Sequence, residues 1–316
     1  MTAFLLRRLA HAVLVILLVA TVTFGLVHAA PGGPSILADP KLSIAEREVI
    51  VQRLGLDQSL PVQFGRWLGQ VARGDLGRSF LYETSTLRTI GTRLPDTLLL
   101  AGSALALAVL FAVPLGAMAA ARHDRWLDRF LNGVAFVSLS MPAFWLGILV
   151  ILVFAVRWHL FPAGGARALG GVGSAGDRAW HLVLPALVLS AAIGAEVFRY
   201  TRSSVRSALA RPFVRTARAK GVSERAARWR HAVRTALNPV VTSIGLQLPR
   251  LVGGAAITET VFSWPGMGRL GIEAALARDY PLVMATTLVV SAGVLACTLL
   301  VDLAYYALDP RTRSPT

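Results

Sequence analysis

The sequence is poor in the residues that build metal centres, disulfides and nucleotide-hydrolysing loops. It holds one cysteine, Cys297, in 316 residues. A lone thiol closes no internal disulfide and holds neither zinc nor an iron–sulfur cluster, so within its apolar run it reads as a small buried hydrophobe. Lysine occurs only at Lys41 and Lys220, and neither stands in a G-x-x-x-x-G-K-[ST] string. The chain therefore has no Walker A cradle for nucleotide phosphates. Its histidines, His11, His28, His123, His159, His181 and His231, are scattered without HExxH or other ligand spacing. No metal and no other cofactor is expected. Charge is scarce as well: 16% of residues are charged, where a soluble domain carries roughly 25%. Acids are the scarcer sign, 17 against 32 Lys and Arg, for a net charge of +15.

Long apolar runs fill the space that charge leaves. The chain is 55% hydrophobic, with a mean hydropathy of +0.60, too apolar for a soluble domain. Its basic excess sits between apolar segments, which points to a membrane surface and away from nucleic acid. Charge-free runs occupy 9–38, 97–121, 130–156, 179–195, 235–249 and 280–301, and a bilayer core needs about 20 apolar residues per helix. The Pro31-Gly32-Gly33-Pro34 breaker trims the first run to about 9–30, and the fifth continues past Arg250 to Glu259. Six spans are expected, at about 9–30, 97–121, 130–156, 179–198, 238–260 and 281–307. Arg7 and Arg8 with Val27-His28-Ala29 loosely resemble a secretory signal, but the apolar stretch is longer than the roughly 7–15 residues usual there, so an uncleaved anchor is expected.

Lys/Arg asymmetry in the short loops sets the orientation. With the N-terminus inside, the cytoplasmic side receives Arg7 and Arg8, three basic residues in 122–129, eleven in 199–234, and Arg311 and Arg313, whereas the short outer loops 157–178 and 262–279 hold five. Both termini are expected in the cytoplasm. The long first outer loop, 31–96, has apolar residues at helical spacing with Gly and Pro between, which predicts a small helical extracytoplasmic cap. Every span but the first and last contains or adjoins a proline (Pro114, Pro142, Pro185, Pro239, Pro249), and such prolines permit kinks.

The loop 199–234 is the most informative segment, with eleven basic residues against the single acid Glu224. Ser203 to Lys220 suits a helix with a break or fresh start near Pro212, Gly221 ends it, and Ser223 caps a second helix with Glu224 in its first turn. The product is a helix–Gly–helix, basic on one side and small-apolar on the other. It suits docking of a cytoplasmic partner, with lying on anionic lipid as the lesser alternative.

Charges within the spans are few. Arg250 lies in mid-span, where a charge costs about 2.5–3.5 kcal/mol on insertion scales. Glu259, nine residues on, is half a turn out of phase with it, so the two are not expected to pair. Each either lines a pathway, pairs with another subunit or snorkels to an interface. Glu196 is expected to pair with Arg199 on the surface of its own helix, Asp302 to act at a boundary, and Trp264-Pro265-Gly266 to form a tight turn at the outer interface.

Readings of other classes fit less well. Gly173-Ser174-Ala175-Gly176 with His181 superficially suggests a serine nucleophile, but Val172 stands where G-x-S-x-G requires glycine; no catalytic residue is assigned. A self-sufficient secondary transporter would show internal repeats and several buried ionisable groups. A membrane scaffold without transport remains as an alternative.

Longer strings carry a resemblance. Arg215-Thr216-Ala217-x3-Gly221 resembles the EAA-x3-G loop of permease subunits in bacterial ABC importers. The run from Phe213 through Lys220-Gly221 to Thr242 is similar to the dipeptide, oligopeptide and nickel branch. So are Ser140-Met141-Pro142-x-Phe144-Trp145-Leu146, Leu54-Gly55-Leu56-Asp57, Gly74-Asp75-Leu76-Gly77, Glu259 to Leu270, Arg278-Asp279-Tyr280-Pro281 and Leu308-Asp309-Pro310-Arg311. They follow the family's order over nearly the whole chain. Arg215 and Thr216 replace the general motif's Glu and first Ala, and the proline that usually follows the glycine closely comes only at Pro239.

The resemblance implies an all-α polytopic permease: residues 1–30 as the first span, 31–96 as the extracytoplasmic loop, 97–310 as the importer core with a coupling loop at 199–237, and 311–316 as a cytoplasmic tail. It implies a second homologous permease subunit, cytoplasmic ATPase subunits and an extracytoplasmic binding protein, in a bacterial inner membrane. It further implies ATPase coupling through Phe213, Arg215, Thr216, Ala217, Lys220, Gly221, Ser223 and Glu224, a pathway near Arg250, Glu259 and Trp264, and a re-entrant piece at Trp264. The implied substrate is a di- or oligopeptide, with nickel chelates, glutathione or sugars as alternatives.

Overall fold

A computed structural model describes residues 2–37, 42–121, 125–168, 174–223, 226, 229 and 233–308. Glu224 and the tail 309–316 lie outside the described residues. The chain divides into two compact units, one of Met1–Thr97 with Pro265–Leu299, the other of Leu98–Trp264 with Leu300–Thr316. Among the described residues all regular structure is helical, apart from an isolated antiparallel bridge between Arg78 and Ser85.

In the first unit, α1 (Thr2–Ala29) leads through a single 3-10 turn at Ser35–Leu37 to the short helices α2 (Ile44–Leu54) and α3 (Leu60–Ala72). These two are the helices expected of the 31–96 loop. A reciprocal cap starts α2: the Glu46 amide donates to the Ser43 hydroxyl at 3.3 Å, and the Ser43 amide donates to the Glu46 carboxylate at 2.8 Å. The Ser43 hydroxyl and then its amide hold the Glu46 carboxyl below its ordinary range. Gly55 ends α2 at φ +68, a left-handed conformation that glycine adopts without strain.

Helix α4 (Thr86–Ala121) follows, and α12 (Met267–Leu276) and α13 (Tyr280–Leu308) come late in the chain. Leu76, Ile90, Met267, Leu270, Leu282 and Ala285 close the core of this unit. Beside it, Asp279 is fully buried and accepts from the Ser79 hydroxyl, from the Leu81 amide at 3.0 Å and from the Leu282 amide at 3.1 Å. One carboxylate thus caps α13 and fixes the 79–81 turn. Tyr82 donates to Glu273 at 2.9 Å; burial, then that carboxylate, pushes the Tyr82 phenol up.

The second unit contains α5 (Trp126–Ser140), α6 (Ala143–Val150) with a π-helical extension over Ile151–Arg157, and α7 (Ala175–Leu209). After these come α8 (Pro212–Ala219), α9 (Arg234–Gly245), α10 (Leu248–Gly254) and α11 (Ala256–Val261). Its largest cluster combines Ala101, Ala104, Ala108 and Ala112 with Val197, Phe198, Val240 and Leu251. Small residues let membrane helices approach closely. Helices α4 and α7 approach closely at Gly116, where a Cβ would meet the Phe198 carbonyl oxygen at 2.8 Å and Thr201 Cβ at 2.9 Å.

Among the described residues, four helices are long and apolar enough to cross a bilayer: Leu6–Ala29, Thr86–Ala121, Ala175–Leu209 and Tyr280–Leu303. The run expected as one span at 130–156 is broken, its two halves meeting at 109°. Pro142 is the cause: the residue before a proline avoids helical geometry, and Met141 is extended at φ −87, ψ 127. The run expected at 238–260 is a string of three short helices, α9 to α11, with Pro239 inside the first and Pro249 at the start of the second. Two boundaries also differ from expectation. Helix α4 begins at Thr86, well before residue 97, because Arg88, Arg93 and Asp96 interrupt hydropathy but not helical geometry. Helix α7 runs on to Leu209, since nothing before Pro212 obliges it to stop.

Candidate functional site

The end of α7, helix α8 and the glycine beyond it form the first candidate site. Helix α8 begins at Pro212, where a missing N–H costs nothing and φ is preset. Val214 is its anchor, 1% exposed, packed with Ala117, Ala120, Val205, Ala208 and Ala236. Burial of one valine of this kind stabilises by about 1.5–3 kcal/mol. The other described side chains of the helix turn outward: Phe213 and Thr216 are exposed, as is Lys220 just past its end. Thr216 returns its hydroxyl to the Pro212 carbonyl at 3.1 Å. Arg215 and Ala217 fall within the helix, but their side chains lie outside what is described.

Gly221 then turns the chain at φ +84, and among the described residues no heavy atom beyond its chain neighbours lies within 4 Å of where a Cβ would stand. The Ser223 hydroxyl accepts from the Ala226 amide at 3.3 Å, the hydrogen bond of a residue opening a helix. The arrangement is a short helix held on one face, with a left-handed glycine and open space at its end. It can present backbone to an incoming surface without a side chain in the way.

A buried ion pair lies at the level of this site's base on α7. Arg202 donates to both Asp128 oxygens, Nε at 2.6 Å and Nη2 at 2.7 Å, and Asp128 is 2% exposed. Asn132 Nδ2 adds bonds to the Asp128 carboxylate at 2.8 Å and its carbonyl at 2.7 Å. The fork ties the start of α5 to α7 with the bidentate geometry that makes Arg–carboxylate pairs strong. Sequence reasoning counted Arg202 among loop charges and missed this pair, whose partners stand 74 residues apart. An Asp at the start of an apolar run was the available signal.

The candidate pathway residues separate. Arg250 on α10 is largely exposed, and its guanidinium donates to Glu196 at 3.0 and 3.1 Å; Gln247 donates to the same carboxylate at 2.7 Å. This corrects the expected Glu196–Arg199 pair. Glu196 takes its bonds from Gln247 and Arg250, and Arg199 is exposed. Glu259 and Trp264 are both fully buried. The Trp264 amide donates to the Glu259 carbonyl at 2.8 Å, closing a turn after α11, and the indole packs with Leu100 and Ala186. Tryptophan in this expected turn is therefore a core residue of its unit. Arg250 does not pair with Glu259, which is buried on the separate helix α11. Among the described residues no cluster of His, Cys, Asp and Glu has the makings of a metal site.

Comparison with known proteins places these features in context. A family model described as "Binding-protein-dependent transport system inner membrane component" matches residues 112–314. Another, "Binding-prot-dependent transport system membrane comp, N-term", matches residues 1–101. The chain is 38% identical over 313 residues to the oligopeptide transport system permease protein AppB of Bacillus subtilis (strain 168), covering 98% of this chain and 99% of that one. It is 40% identical over 317 residues to a putative peptide permease protein of Brucella suis biovar 1 (strain 1330), covering 99% of each. It is 38% identical over 314 residues to the glutathione transport system permease protein GsiC of Salmonella typhimurium (strain LT2), again covering 99% of each.

Proposed function

The chain belongs to the family of binding-protein-dependent transport system inner membrane components, and from that premise we propose how it divides the work of import with its partners. As a permease subunit it is a transport protein, and ATP hydrolysis belongs to a partner chain. In our reading it has six spans, the bent 126–157 pair and the α9–α11 string counting as the third and fifth. Both termini face the cytoplasm, and the cap of α2 and α3 lies outside. It forms half of a pore with a second permease subunit, and a binding protein delivers di- or oligopeptides to it. The observation that carries this is full-length similarity to oligopeptide and peptide permeases. Glutathione, itself a small peptide, is the alternative that a named relative favours.

The coupling element is α8 with Gly221. Phe213, Arg215, Thr216, Ala217, Lys220, Ser223 and Glu224 face or flank a groove on the ATPase, and Val214 ties the helix to α4, α7 and α9, so a pull on α8 is passed to those helices. Arg250 is the exposed charge on the pathway side, held in place by Glu196 and able to meet a peptide carboxylate. Glu259 and Trp264 form the buried frame behind it.

ATP-driven uptake of a labelled tripeptide into proteoliposomes holding the complete importer tests the function. Uptake of a nickel chelate or a sugar with none of peptide would overturn the substrate. In the same assay Arg250→Glu, which sets two carboxylates against each other, is expected to lower peptide uptake about tenfold or more, a loss of roughly 1.4 kcal/mol or above. Unchanged rate and specificity would remove Arg250 from the pathway.

A further inference from the structure

The first unit holds a half-open cavity of about 700 Å³, lined by none of the proposed coupling or pathway residues. The outer end of α1, helices α2 and α3, the turn at 76–83 and the start of α13 surround it. Its size is that of a small-ligand site. One wall is apolar, with Phe24, Ile50, Leu54 and Met284; the rest carries three guanidinium groups, Arg53, Arg66 and Arg78, against the single carboxylate of Glu83.

These cations are held in different ways. Arg78 donates to the Glu83 carbonyl and serves the turn. The Arg66 guanidinium lies over Gly55, where a Cβ would come within 2.3 Å of Nη1. Glycine at φ +68 thus does two things here: it ends α2 and leaves room for the cation. Trp67 also lines the cavity, and its indole N–H is enclosed without a hydrogen-bond partner among the described residues. An unpartnered indole donor and two exposed guanidiniums line the same cavity, which suits an acceptor.

The apolar wall says what kind of molecule brings that acceptor. Phe24 and His28 stack at 4.0 Å at the end of α1, and the aromatic chain continues from His28 to Tyr280 on α13 and from Phe24 to Phe64 and Trp67. Aromatic rings collect at the level of lipid headgroups. Both α1 and α13 are long and apolar enough to cross a bilayer, and only 6% of the most apolar stretch of α1 is buried, so the wall runs on into surface that suits acyl chains. Guanidinium groups pair strongly with phosphate oxygens, so a basic cavity beside membrane helices suits an anionic headgroup. A soluble anion would need the cations alone; the apolar wall continuous with two spans fits an amphiphile.

We propose that this cavity binds an anionic phospholipid, its phosphate held by Arg53, Arg66 and the Trp67 indole, with an acyl chain along Phe24, Ile50 and Met284. The site rests on reading α1 and α13 as spans. The bound lipid fastens the α2–α3 cap to the membrane surface.

The test uses the importer complex in mild detergent, stripped and reloaded with dioleoylphosphatidylglycerol or dioleoylphosphatidylcholine, with retained lipid counted by mass spectrometry. Wild-type complex is expected to retain the anionic lipid, and Arg53→Gln/Arg66→Gln to retain about tenfold less. Trp67→Phe, which keeps the ring and removes the N–H, is expected to lose a smaller part. Equal retention by wild type and both variants, or equal retention of the two lipids, overturns the proposal. Displacement of the lipid by inorganic phosphate alone overturns it in favour of a free anion. Loss of binding-protein stimulation with unchanged lipid retention overturns it in favour of a protein contact. Partner subunits that still co-purify with the variants keep any of these failures separate from failure of the transport reading.

Discussion

Gly221→Asp is expected to leave the protein folded in the membrane and to reduce ATP-driven uptake about tenfold or more, while the partner ATPase loses its response to the loaded binding protein. Two separable effects meet at this position. The backbone is at φ +84, where an L side chain costs roughly 1–2 kcal/mol, although Asp and Asn tolerate that region better than other residues. Among the described residues no heavy atom beyond the chain neighbours lies within 4 Å of the new Cβ, so none of them clashes with it. The larger effect comes from outside: a partner surface closing on exposed backbone meets a carboxylate it must desolvate. Gly221→Asn separates the two, keeping the backbone cost without the charge, and is expected to retain more uptake. Uptake and ATPase stimulation measured on the same proteoliposomes check both, and wild-type coupling in Gly221→Asp would remove α8 from the docking site.

The second large effect is expected at Asp128. Breaking a buried pair by removing one partner costs about 3–5 kcal/mol when the other charge stays buried. The Arg202 side chain retains 21% exposure, so it regains some water and the expected loss for Asp128→Ala is near the lower end, about 3 kcal/mol. Asp128→Asn leaves a hydrogen-bonding side chain but no counter-charge and should fall between. Denaturant or thermal unfolding of the detergent-solubilised protein reads this out. Asp128→Ala/Arg202→Leu, which removes both charges, should recover part of the loss. Additive losses in that cycle would mean that the two residues act independently despite the fork at 2.6 and 2.7 Å.

Legibility followed the range of the interaction. Local signals served well: charge-free runs gave the helices at Leu6–Ala29, Thr86–Ala121, Ala175–Leu209 and Tyr280–Leu303. The pattern at 31–96 gave α2 and α3, Pro212 gave the start of α8, and Gly221 its end. Helix limits were less legible, because hydropathy stops at Arg88 or Glu196 while backbone geometry does not. Proline marked where helices would be disturbed but not how far. Pro185 lies within continuous α7, whereas Pro142 accompanies a 109° break. Pairings between helices were illegible, since one sequence fixes each residue's phase on its own helix but not which face meets which. Glu196 with Arg250, Asp128 with Arg202 and Asp279 with Ser79 all belong to that class. The burial of Trp264 was hidden for a related reason: tryptophan suits an interface and a core equally, and only the packing of Leu100 and Ala186 decides between them.

The docking of α8 on an ATPase is the centre of this account, and a photo-activated cross-linking residue at position 220 tests it most directly. Lys220 is exposed and adjoins Gly221, so the probe sits at the proposed contact without disturbing the Val214 anchor. Illumination in the native membrane, affinity purification and mass spectrometry of the adducts should yield a nucleotide-binding subunit joined to this chain, together with a second permease subunit in the same purification. Adducts to lipid alone, from a chain that purifies without companions, would contradict it.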